Sequence, residues 1–142
     1  MKLRIFKEIP ARLPVARINR LFDEISTSET DRLTRGTVNL VITDDKNIRR
    51  LNRDYRRKDR ATDVLSFNLD DPDDDDGVFG EIYISAETAR RQTTEYETVL
   101  NEEYLRLFCH GLLHLFGFDH MKKNDERIMK AREERYLKAV GR

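Results

Sequence analysis

The amino-acid sequence predicts an α+β domain, with one mixed sheet of about four strands packed with about five helices. Three observations carry that expectation. Four short stretches alternate apolar and polar residues, the period of a half-buried strand. The segments between most of them repeat their apolar residues with helical spacing. The third and fourth strand stretches are joined by one loop with no helix between them, which makes them antiparallel neighbours. The 142 residues carry no Gly/Ser- or Pro-rich divider, so residues 1–142 read as a single domain.

Leu3 and Ile5 alternate in the first strand. Val15, Ile18, Leu21, Phe22 and Ile25 then line one side of a helix, and Pro14 suits its first turn. Val38, Leu40 and Ile42 mark the second strand. Asp44 or Asp45 can cap a helix carrying Ile48, Leu51 and Tyr55. Leu65, Phe67 and Leu69 share one face of the third strand, and Ile82 and Ile84 one face of the fourth. Between those two, residues 70–77 hold six Asp with a Pro and a Gly. Charge repulsion makes this a solvated loop, and it lacks the spacing of a calcium loop. Ser85 can cap a helix running to residue 96. Two further helices span residues 99–116 and 124–139, with Gly117 as a left-handed stop after the first. Cys109, Met121 and Met129 are expected in the core.

Twenty-seven basic residues balance twenty-seven acidic ones, which at first sight excludes a strongly basic nucleic-acid binder. The zero hides a division. Residues 1–69 carry 16 basic and 10 acidic side chains, and the remainder carries 11 and 17. No apolar run approaches the ~20 residues of a membrane span. The N-terminus has no apolar signal core, and the single cysteine forms no internal disulfide. These features predict a soluble cytoplasmic protein.

All three histidines fall between positions 110 and 120. His110 and His114 are four apart on a helix, so their side chains stack one turn apart and can bind one metal ion. A chain reversal at Gly117 can return His120 as a third ligand. Three imidazoles with an open fourth position describe a catalytic zinc site, so one Zn²⁺ is the expected cofactor; other divalent transition metals would also suit. The spacing matches the zinc-peptidase pattern H-E-x-x-H-x-x-G-x-x-H, with one difference. Gly111 stands where that pattern has the general-base Glu, so a peptidase of this design would lack its proton acceptor. Between Arg49 and Arg60 lie seven basic residues and two acidic ones. Such a cluster is either a phosphate-binding patch or an exposed basic helix end. With a metal site, the first reading gives metal-assisted phosphodiester hydrolysis.

Three motifs then resemble a known family. They are the tract from Asn52 through Tyr55-Arg56, Lys58-Asp59 and Thr62-Asp63-Val64-Leu65-Ser66-Phe67; the strand Gly80-Glu81-Ile82-Tyr83-Ile84-Ser85; and the run from His110 to His120. Together they resemble the YbeY family of bacterial endoribonucleases, also called rRNA maturation factors. Two departures are small: Glu81 stands where the family often has Asp, and Arg57 where Gly is frequent. The resemblance implies a zinc-dependent, single-strand-specific endoribonuclease acting in 16S rRNA 3′-end maturation and ribosome quality control. Its partners would be single-stranded RNA, ribosomal RNA and the small ribosomal subunit, with no membrane and no DNA. By matching positions, His110, His114 and His120 would hold the zinc and Arg56 would be the catalytic or phosphate-binding arginine. Arg53, Arg57, Lys58 and Ser66 are candidates for contacting substrate. Asp119 either holds a histidine tautomer or caps the turn. Tyr55, Phe67 and Phe79 are stacking aromatics or strand and core residues. The alternatives are a peptidase and a non-catalytic, ribosome-associated zinc module.

Overall fold

The computed structural model describes residues 1–30, 34–69, 77–118 and 122–141. Among these, the element order is β1 (Lys2–Lys7), α1 (Val15–Glu29), β2 (Thr37–Thr43), α2 (Asp45–Arg56), β3 (Val64–Asn68), β4 (Val78–Ser85), α3 (Ala86–Glu95), α4 (Leu100–Leu115) and α5 (Lys123–Ala139). The four strands form one sheet in the order β1-β2-β4-β3. β1 and β2 run parallel, as do β2 and β4, while β3 runs antiparallel to β4. The expected mixed sheet and five helices are therefore present. The Asp-rich segment 70–76, Asp119, His120 and Met121 lie outside the described residues.

Alternation gives the sheet two unlike faces. Leu40, Ile42, Ile82 and Ile84 point to one side and pack in a single cluster with Ile18, Leu21, Phe22 and Ile25 of α1, and with Tyr104, Phe108 and Leu112 of α4. Cys109 and Met129 are buried there too, as expected. On the other side, Leu65, Phe67 and Tyr83 meet Ile48 and Leu51 of α2 in a much smaller cluster. The predicted apolar face of β3 is real, but it looks toward α2. There Leu69, just beyond the strand, remains 48% exposed.

Local chemistry explains the helix ends. The Asp44 side chain accepts the Asn47 N–H at 2.8 Å and caps α2. Ser85 caps α3 in the same way through the Thr88 N–H. Asp45 ties the two helix starts together by accepting hydrogen bonds from the Ser85 and Thr88 hydroxyls. Burial pushes the Asp45 carboxyl up, but the bonds from Ser85, Thr88 and Arg91 outweigh it and hold the pKa below the usual carboxylate value. α4 ends at Gly117, whose φ of 97° is left-handed, with the Phe118 N–H bonded back to the Leu113 carbonyl.

Candidate metal centre and adjoining cleft

α4 carries two of the three predicted ligands. His110 and His114 bring their Nε2 atoms to 3.1 Å, with ring centroids 4.6 Å apart and planes at 80°. Two nitrogens sharing one tetrahedral zinc at the usual bond length would lie roughly 3.3 Å apart, so the pair is already close to ligating geometry. The Nδ1 of His110 lies 2.5 Å from the Glu133 carboxylate of α5. An acidic partner there favours Nδ1 as the donor, which leaves the Nε2 lone pair facing His114. A carboxylate behind a ligating imidazole is the usual support of a histidine metal site. Among the described residues no set of three His, Cys, Asp or Glu side chains converges. His120 and Asp119, the remaining predicted members, lie outside those residues. The paired imidazole donors fit a zinc ion in type and spacing.

Sequence reasoning missed Glu133, although a signal exists. Met129 and Leu137 are buried on α5, and Glu133 sits midway between them at helical spacing. A carboxylate inside an apolar stripe, here only 16% exposed, needs a partner.

Both histidines open onto a cleft of about 550 Å³ whose lining includes Arg56, Asp63, Ser66 and Phe67. Arg56 ends α2 and reaches across to β3. Its Nη2 donates to the Ser66 carbonyl at 2.5 Å, and its guanidinium lies 5.3 Å from the Phe67 ring centroid. That bond uses one of five guanidinium N–H donors. Asp63, not foreseen as a lining residue, accepts the Val64 N–H at 2.8 Å and a Gln92 side-chain N–H at 3.2 Å. The Ser66 hydroxyl donates to the Gly111 carbonyl at 2.9 Å, so it fastens β3 to α4.

The other predicted basic residues point elsewhere. Arg53 pairs with Asp54 and lines a separate hollow of about 600 Å³ together with Lys46, Arg49 and Arg50. Arg57 closes α2 with a left-handed φ of 57°, which accounts physically for glycine suiting that position. Arg57 and Lys58 are exposed.

Gly111 has a packing reason as well. A Cβ there would meet Ile82 Cγ2 at 2.8 Å and Ser66 Oγ at 3.0 Å. Position 111 thus faces the sheet, where a larger side chain such as glutamate has no room.

Comparison with known proteins shows what the chain resembles. The family model described as endoribonuclease YbeY matches residues 7–141. The endoribonuclease YbeY of Carboxydothermus hydrogenoformans is 41% identical over 124 residues, covering 87% of this chain and 86% of that protein. That of Heliobacterium modesticaldum is 44% identical over 115 residues, covering 73% of this chain and 69% of that protein. A solution structure of a Thermotoga maritima protein superimposes with a TM-score of 0.66 at 28% identity, covering 97% of this chain and 88% of that one.

Proposed function

The chain belongs to the YbeY endoribonuclease family, and on that premise we propose that it is a zinc-dependent endoribonuclease that cuts single-stranded RNA. One observation carries the reading: a histidine pair with converging Nε2 atoms and an arginine that reaches from the end of α2 onto β3 line the same cleft. A protein made only to bind RNA would need the cation but not the paired imidazoles.

His110 and His114 would hold the ion, with His120 as the third ligand that the family resemblance implies. A bound zinc ion would supply concentrated positive charge at the phosphate oxygens. The chain's own residues do the rest. Glu133 accepts from His110 Nδ1 and so directs its Nε2 into the cleft. Arg56 presents fork-shaped N–H donors to the phosphate and stabilises the charge that builds on the pentacovalent phosphorus. Its anchors on the Ser66 carbonyl and the Phe67 ring fix it before substrate arrives, so little ordering is needed on binding. The physiological substrate we assign is the 3′ end of 16S rRNA, with ribosome quality control as the wider setting and the small subunit as partner in the cytoplasm. Among the described residues no helix is long and apolar enough to cross a membrane.

Incubating the zinc-loaded protein with single-stranded RNA and with casein tests the reading. RNA cleavage that EDTA abolishes and zinc restores is expected, and casein should stay intact. Arg56→Ala should lower kcat by about 10²–10³-fold, as for loss of one pre-organised donor. RNA that survives under every metal tried would overturn the proposal. Binding without turnover would favour the non-catalytic module.

A further inference from the structure

Tyr55 stands out on the α2 side of the cleft. It is 71% exposed, an unusual setting for a large aromatic that ends an apolar helix stripe. It is not loose, however. Its ring meets Phe67 edge-on, with centroids 5.6 Å apart and planes at 64°. Phe67 meets Tyr83 in the same way at 5.9 Å and 74°. Phe67 also lies under the Arg56 guanidinium and lines the cleft that holds both histidines. The three rings form a braced row, with Phe67 in the middle on the cleft and the exposed Tyr55 outermost. An edge-on contact leaves a flat face of the outermost ring open to solvent.

We propose that Tyr55, braced by Phe67, is a nucleobase subsite, on which a base next to the phosphate held by Arg56 stacks. The inference rests on the RNA-cutting reading and adds to it a binding site for a base, where the reading needs only a phosphate. Charge and continuity choose the ligand. Arg56 shares the Phe67 ring with the tyrosine, and the exposed Arg57 and Lys58 follow it in the chain, so the local charge would draw an anionic strand. Arg56 and Tyr55 both contact the Phe67 ring, so phosphate and base contacts are offered side by side. Every base has a π-face, so such a platform tolerates any sequence and selects against a duplex, whose bases are stacked on one another.

The test uses the zinc-loaded full chain and oligomers made resistant to cleavage by 2′-O-methyl and phosphorothioate groups. Fluorescence anisotropy would compare a labelled single-stranded RNA with an abasic oligomer of equal length and charge. The wild type should bind the base-bearing strand about tenfold more tightly, the expected scale for one stacked base. Tyr55→Leu, which keeps apolar bulk but has no ring, should erase that preference, and Tyr55→Trp should keep it. Matching melting temperatures would show that the variants fold alike. Undiminished preference in Tyr55→Leu would overturn the stacking subsite, while weakened binding in Arg56→Ala would leave the RNA reading standing. A wild type that binds neither strand would overturn both.

Discussion

The two faces of the sheet are built to opposite standards. On one, α4 buries ten of its sixteen residues and meets the strands so closely that position 111 has no room for a methyl group. On the other, α2 buries three of twelve and leaves Tyr55 and Arg56 facing solvent. The histidines stand on the tight side and the arginine on the open side. β3 joins them, because alternation sends Ser66 toward α4 and Phe67 toward α2. The difference teaches a division of labour. Metal donors need fixed separations, which dense packing supplies. A residue that meets a long, flexible polyanion gains from access, and it needs only local bracing.

The contrast can be broken most severely at Gly111. Gly111→Ala should cost about 1–3 kcal/mol in urea unfolding, because overpacking outweighs alanine's better helix propensity. A neutral result would show that α4 can shift, and the tight face would lose its meaning. Next is the carboxylate behind the histidine. Glu133→Gln should weaken zinc binding by about 10–100-fold, measured by chelator competition at fixed pH. Unchanged affinity would show that packing alone orients His110. On the open face, Arg57→Gly should stabilise the protein by about 0.5–1 kcal/mol, since it relieves a left-handed backbone without touching the core. Lower stability would mean that the arginine side chain has a hidden structural role.

The smallest effect lies at Tyr83. Burial, reinforced by the Glu81 carboxylate, pushes its pKa up to about 12. Ionisation is then easier in the unfolded chain, at about pH 10. The stability contribution is full below that value and is lost as the pH rises toward 12. Tyr83→Phe should therefore flatten the alkaline end of the stability curve. An identical slope would place the phenol in contact with water.

Much of this was legible in the residues. The helix expected over 99–116 is Leu100–Leu115, and Gly117 takes the left-handed conformation its position required. The pairing of β3 with β4 followed from the absence of a helix between them. These features depend on near neighbours. What escaped depends on distant ones. Glu133 lies twenty-three positions from His110, and only the packing of α5 on α4 brings them together. The seven basic residues between Arg49 and Arg60 looked alike in sequence. The rotation of α2 admits Arg56 to the cleft and turns Arg53 toward another hollow. Gly111 was noticed for the base it lacks, while its reason, contact with Ile82, needed the sheet in place.

β3 is an outermost strand, and such a strand presents backbone groups to which a foreign chain can zip. The Arg56 guanidinium sits on one of them, the carbonyl of Ser66. The side chain proposed to meet the substrate therefore also blunts the sheet against self-association. Its loss would uncover a sticky rim, and a variant without it would have to be judged for aggregation before its inactivity is read as lost chemistry.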